Sequence, residues 1–140
     1  MRELPRQLTV DELRELFSGR TALVERLAEV EAPLGDGAER VLAELSDEDK
    51  YAALAAHPRI GERSPEQHGD EPEVLEELAR LNREYEERFG FRFVVFVDKR
   101  SRAEIVPVLR DRLARAREDE LSTGVRELVA IARDRWTGTT

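Results

Sequence analysis

An all-α fold of about seven helices in one compact domain, residues 1–140, is predicted by three features of the sequence. Capping patterns mark helix starts along the chain. Apolar residues recur three or four apart in most of the stretches that follow. Only one run, Phe91-Arg92-Phe93-Val94-Val95-Phe96-Val97, carries strand-like β-branched and aromatic spacing, and no second run exists to pair with it. One strand cannot satisfy its own backbone. Residues 91–97 are therefore expected as an extended or partly helical buried segment, not as part of a sheet.

Each element follows from local chemistry. Thr9-Val10-Asp11-Glu12 has capping-box form, and Leu13, Leu16 and Phe17 supply an apolar stripe behind it. Arg20-Thr21 opens a second helix through Leu23, Val24, Leu27 and Val30, which Pro33 and Gly35 would stop. Asp36 is expected to cap a third, carrying Val41, Leu42 and Leu45. Ser46-Asp47-Glu48-Asp49 begins a fourth, with acids where the helix dipole favours them. Tyr51, Leu54 and Ala55 would form its inner side, and Pro58 ends it near Ala56.

The fifth helix, capped by Asp70-Glu71-Pro72-Glu73, has Val74, Leu75, Leu78, Leu81, Tyr85 and Phe89 on one face. Gly90 is placed to end it in the left-handed conformation. Ser101-Arg102-Ala103-Glu104 is a second capping box, followed by Ile105, Val108, Leu109 and Leu113. Pro107, about two turns in, is expected to kink that helix or delay its start. Ala114 to Glu120 reads as a charged connection. The last helix runs from about Glu118 to Arg135, with Leu121, Val125, Leu128, Val129, Ala132 and Trp136 inward.

Composition narrows function. The net charge of −8 argues against nucleic acid and anionic membrane as partners, because phosphate binding wants a basic face. No cysteine is present, which excludes disulfides and thiolate metal sites and suits a reducing compartment. MRELPRQLTVDEL has no apolar core of signal-peptide length, and no apolar run approaches bilayer length, so a cytoplasmic protein is expected.

Chemistry concentrates between the fourth and fifth helices. Residues 56–70 hold both histidines and two of the six prolines. His57 ends a helix before a rigid proline, nine residues ahead of Glu66, so an imidazole and a carboxylate can face each other across one loop. A histidine at a helix end can equally serve as a local hydrogen-bonding group at the negative pole of the dipole. Ser64-Pro65-Glu66-Gln67 is a capped helical turn in its own right, with backbone N–H groups and Gln67 able to hold an oxyanion. A metal reading can be assembled from His57, Glu66, His68 and Asp70, but the spacing matches no standard ligand pattern, and no metal is expected. The aromatic rhythm from Phe89 to Phe96 approximates an RNA-recognition octapeptide, yet Phe89 fills its basic position and Arg92 its small one. Core packing explains it better. Arg135 borders the apolar face of the last helix, either snorkelling at the C-terminal dipole or aimed at an anionic substrate.

Several of these groups occur together in a known order. Ala55-Ala56-His57-Pro58-Arg59-Ile60-Gly61 comes first, then Glu66-Gln67, then Leu81-Asn82-x-x-Tyr85-x-x-Arg88-Phe89-Gly90-Phe91-x-Phe93-Val94. Ala103-Glu104-Ile105 and Glu127-x-x-x-Ile131-Ala132-x-x-Arg135 follow. The chain thereby resembles the 2-oxo-4-hydroxy-4-carboxy-5-ureidoimidazoline (OHCU) decarboxylase family, over nearly its whole length and most specifically from Leu54 to Val97. That resemblance implies an all-α, homodimeric, cofactor-free carboxy-lyase that makes (S)-allantoin in urate degradation, acting on a small-molecule substrate in functional association with uricase. It places the catalytic histidine on His57 and the substrate-binding Glu-Gln pair on Glu66 and Gln67, with Glu66 expected to share in catalysis. It places substrate contacts on Pro58, Gln67 and Arg135, and on the backbone around Val95, Phe96 and Val97. The connection between the His-Pro and Glu-Gln elements is shorter than the family's. The family serine falls in register with Arg63, while Ser64 lies one residue later, so neither matches it cleanly. A non-catalytic helical interaction domain remains the alternative.

Overall fold

The computed structural model describes residues 3–60 and 72–138. Seven helices are present among them: α1 (Val10–Phe17), α2 (Ala22–Leu27), α3 (Asp36–Glu44), α4 (Asp47–Ala56), α5 (Pro72–Phe89), α6 (Arg102–Leu113) and α7 (Arg117–Thr137). No strand occurs among the described residues. The longest helix, α7, packs against α1, α3 and α4; α2 packs against α1, α3 and α4; and α5 pairs with α6. Leu13, Leu23, Val24, Leu27, Leu34, Leu54, Leu78, Ile105 and Leu109 are wholly buried between these layers.

The caps read from sequence begin the helices. Thr9 and Ser101 close full capping boxes with Glu12 and Glu104, and Thr21 and Ser46 accept from the backbone N–H groups of Val24 and Asp49. Each satisfies a helix N–H that has no intrahelical partner. Two boundaries differ from expectation. The second helix stops at Leu27, before Pro33, because the chain turns back through Ala32 at φ 51. The third has Gly35 and not Asp36 at its cap. Its first N–H groups are taken by backbone, with Gly37 donating to Ala32 O at 2.9 Å and Ala38 to Gly35 O at 3.0 Å, so no side-chain cap is needed. A Cβ on Gly37 would lie 2.2 Å from the Glu31 carbonyl oxygen and 2.8 Å from that of Ala32. Gly37→Ala is therefore expected to destabilise the fold by about 1–3 kcal/mol, read as a lower urea midpoint.

Pro107 lies inside α6 without delaying its start, since the Ser101–Glu104 box anchors the first turn. Both Pro107 and Ala103, whose carbonyl loses its donor, are exposed, so water can serve that carbonyl. Ala55 proves exposed, with Ala53 taking its inward place beside Leu54. Trp136 is half-buried and donates from Nε1 to the Glu3 carbonyl at 2.8 Å.

The largest correction concerns Glu120. It is no part of an exposed connection: it sits in the first turn of α7 and is fully buried. Its Oε1 accepts from Tyr85 Oη at 2.6 Å and from Arg112 Nε at 2.7 Å, and Arg115 Nη1 lies 3.0 Å from Oε2. Arg112 is itself 6% exposed and lies over the Phe93 ring at 4.5 Å. Burial, reinforced by the Glu120 carboxylate, pushes the Tyr85 phenol above its ordinary pKa, so it remains a donor.

This cluster serves the extended segment. Gly90, at φ 82, ends α5 and redirects the chain. Residues 91–97 then run extended, as expected, with Phe91, Phe93, Val94 and Val95 buried and Phe96 and Val97 half-buried, and side chains take the place of a partner strand. Arg117 Nε donates to Phe89 O at 2.8 Å, and Arg112 Nη1 donates to Val94 O at 2.8 Å. The Phe96 N–H donates to Glu127 Oε1 at 3.2 Å. A left-handed turn at Asp98 and Lys99, φ 48 and 66, brings Arg100 back onto Phe96 O at 2.6 Å and Val97 O at 2.9 Å. The rings of Phe89, Phe91 and Phe93 pack around Tyr85 at 4.7–5.8 Å.

Candidate functional site

His57 owes its position to the end of α4. The following proline disfavours helical backbone at residue 57, which is extended at φ −85 and ψ 138 while its N–H still bonds Leu54 O at 3.2 Å. The last carbonyls of the helix are claimed from across the fold. Arg92 Nη1, from the extended segment, donates to Ala55 O at 2.8 Å and to His57 O at 2.7 Å. Those bonds satisfy orphan acceptors and place a positive charge beside the imidazole.

The imidazole is half-buried, and its Nδ1 has no hydrogen-bond partner among the described residues. Its pKa falls from 6.5 to about 4, first through burial, then through the positive charges of Arg135 and Arg92. A helix C-terminus favours a protonated histidine by about 0.3–1 kcal/mol, less than one pKa unit, and does not reverse that shift. His57 is neutral at neutral pH.

Arg135 reaches the same corner from the last turn of α7. Ser18 ends α1 in the left-handed conformation at φ 64 and ψ 22, which exposes the end of that helix to a donor. Arg135 Nη1 takes it, donating to Leu16 O at 2.8 Å and Ser18 Oγ at 3.0 Å. Burial lowers the pKa of Arg135, yet a guanidinium keeps its charge. A Cβ on Gly19 would lie 3.2 Å from Ala56 Cβ, so the end of α1 rests on the end of α4. His57, Arg92 and Arg135 thus meet where three elements converge.

The chain beyond His57 is tied to α5. Pro58 is exposed, and Arg59 makes a bidentate pair with Glu86, Nε to Oε2 at 2.7 Å and Nη2 to Oε1 at 3.0 Å. The Arg59 guanidinium holds the Glu86 carboxyl below the usual carboxylate range. Asn82 Nδ2 donates to Ile60 O at 3.1 Å and Leu78 O at 2.9 Å. Arg59, Ile60, Asn82 and Glu86 line a cavity of about 380 Å³.

Of the residues singled out in sequence, His57 and Arg135 lie near enough for the arginine's charge to bear on the imidazole. Val95 is buried and Phe96 and Val97 are half-buried against α7 through Glu127. Glu127 and Arg135 are about 12 Å apart along the helix axis, and among the described residues no hydrogen bond joins 95–97 to His57. Arg63, Ser64, Glu66, Gln67, His68 and Asp70 lie outside the described residues. Sequence reasoning gave no site role to Arg92, Asn82 or Glu127. Arg92 had a signal, as the one charge in an otherwise apolar run; Asn82 had another, as the chain's single asparagine on an apolar helix face.

A family model described as OHCU decarboxylase matches residues 2–137. A 2-oxo-4-hydroxy-4-carboxy-5-ureidoimidazoline decarboxylase of Haloferax volcanii is 30% identical over 105 residues, covering 66% of this chain and 62% of the relative. A protein of the same name from Halalkalicoccus jeotgali is 29% identical over 113 residues, covering 69% and 64%. The chain thus spans less than two-thirds of the length of these curated relatives. Among solved structures, an OHCU decarboxylase in the presence of (S)-allantoin superposes with TM-score 0.77 at 22% identity, over 91% of this chain and 96% of that one. An (S)-allantoin synthase superposes with TM-score 0.72 at 20% identity, over 92% and 48%. Both likenesses concern the fold.

Proposed function

The chain belongs to the OHCU decarboxylase family, and from that premise we propose that it decarboxylates 2-oxo-4-hydroxy-4-carboxy-5-ureidoimidazoline to (S)-allantoin. The observation that carries the reading is the neutral, half-buried His57 imidazole, under the charge of two arginines where three elements meet.

The chemistry asks for such a group. The bond from ring carbon to carboxylate breaks, CO₂ leaves, and the electron pair delocalises toward the neighbouring imine. One net proton from solvent completes the product, and its delivery to one face sets the configuration. No metal or cofactor is called for in this scheme. The enzyme must orient the carboxylate, stabilise the developing anion and handle that proton. A neutral imidazole enters as an acceptor: His57 takes the substrate hydroxyl proton and returns a proton to the carbanion. Glu66 orients the imidazole or the substrate N–H groups. Gln67 and the backbone groups of the 95–97 segment left free by Glu127 and Arg100 hold the ureido or ring carbonyl, Pro58 lines the site, and Arg135 pairs with an anionic group.

The same proposal takes residues 1–140 as one domain of a cytoplasmic homodimer in functional association with uricase. The acidic net charge of −8 supports a protein that engages neither nucleic acid nor anionic membrane. Among the described residues no helix is long and apolar enough to cross a membrane.

The test is direct. The unstable intermediate is generated from urate with uricase and the hydrolase that follows it, the protein is added, and allantoin is followed by circular dichroism. A rapid signal of one sign is expected. Slow racemic formation at the rate without added protein would overturn the reading and leave a non-catalytic helical domain.

A further inference from the structure

We propose that Glu127 is a positioning residue: its carboxylate aims the Val95 carbonyl at an N–H group of a cyclic ureide ligand. This rests on the decarboxylase reading and deepens it. Each peptide unit is planar and trans, so its N–H and C=O point in opposite directions, and no cis bond interrupts the described chain. Glu127 Oε1 accepts from the Phe96 N–H at 3.2 Å, which fixes the plane of the 95–96 peptide. The carbonyl of that peptide belongs to Val95 and must point away from Glu127.

The preceding peptide is held in the same way. Arg112 Nη1 donates to Val94 O at 2.8 Å, so the N–H of that peptide, which belongs to Val95, points away from Arg112. In extended backbone the groups of alternate residues face alternate sides. Val94 and Phe96 therefore share the edge claimed by Arg112, Glu127 and Arg100, and Val95 presents its N–H and C=O on the other edge. Among the described residues neither Val95 group has a hydrogen-bond partner. A donor and an acceptor side by side match the N–H and C=O of a ureide.

Glu127 is distinct within this clamp. Both arginines are donors and hold carbonyls; only Glu127 accepts, and it makes no ion pair among the described residues. Its bond from the Phe96 N–H is its one polar contact among the described residues.

Glu127→Ala, Glu127→Gln and Glu127→Asp are compared with wild type in the allantoin-forming assay, alongside thermal unfolding. Glu127→Ala is expected to raise KM about ten-fold, with kcat changed less than about three-fold. Glu127→Gln keeps an oxygen in place and is expected to restore KM to within about three-fold. Glu127→Asp, which withdraws the carboxylate by one methylene, shows the KM increase even if the alanine variant fails to fold. A purely structural role lowers the melting temperature and the active fraction and leaves KM where it was. An unmoved KM in Glu127→Ala or Glu127→Asp, or a Gln variant that folds without restoring KM, overturns the inference. An inactive wild type overturns the decarboxylase reading and this inference with it; an active wild type with unmoved KM overturns this inference alone.

Discussion

Arg112→Ala is expected to lower the unfolding free energy by about 3–5 kcal/mol, the range for breaking a buried ion pair from one side. The substitution strands the Glu120 carboxylate, whose side chain is 0% exposed, with the Tyr85 hydroxyl and the more exposed Arg115 as its remaining partners. It also removes the donor on Val94 O and the cation over Phe93. Urea denaturation followed by far-ultraviolet circular dichroism reads the loss. Replacing both charges, as in Arg112→Met with Glu120→Leu, is expected to recover more than half of it, because the two desolvation terms disappear together. A loss below about 1 kcal/mol in the single variant is the value for an exposed pair and would show that water reaches the cluster.

His57→Asn carries the largest expected effect on activity, a fall of about 10²–10⁴-fold with folding preserved. Full decarboxylation by a folded His57→Asn protein would remove His57 from the chemistry. Its stability has a pH signature of its own. The folded pKa is about 4 against 6.5 for the unfolded chain, so between these values the unfolded chain binds a proton that the folded one does not. Stability supplied by the neutral imidazole is complete above pH 6.5 and is lost as pH falls toward 4. The wild type is therefore expected to lose melting temperature relative to His57→Asn across that window, and to stay active until the pH approaches 4. A constant difference between the two proteins from pH 7 to pH 4 contradicts an imidazole held neutral by the fold.

Legibility in the sequence followed the range of the interaction. Thr9, Ser46 and Ser101 could be read as caps because a cap is completed within three residues of itself. Gly90 could be read because only its own backbone angle was at issue. The 91–97 run was legible as a segment in need of partners, but not who they were: Arg112 lies 18 residues from Val94 and Arg117 lies 28 from Phe89. A guanidinium on a distant carbonyl leaves no periodicity in the chain. Glu120 looked like surface charge for the same reason, since its burial depends on Tyr85 and Arg112 arriving from other helices.

The site divides along the same line. Pro58 made His57 visible, and the end of an apolar stripe made Arg135 visible. Arg92 registered only as a flaw in an aromatic pattern, whereas in space it closes α4 beneath the histidine. Glu66 and Gln67 lie outside the described residues and rest on sequence.

The clamp on the extended segment has a consequence for the fate of the chain when it opens. Phe93-Val94-Val95-Phe96-Val97 is short, apolar, β-prone and free of proline, the composition of segments that stack between molecules into cross-β assemblies. In the folded protein one edge of it is covered by two arginines and a glutamate, and charged side chains are a common means of blunting an unpaired edge. These residues therefore act as gatekeepers against self-association as well as substitutes for a strand. Local opening of α6 or α7 would withdraw Arg112 or Glu127 and uncover a template for a second copy while other helices are still formed. Aggregation then competes with refolding from a partly native state.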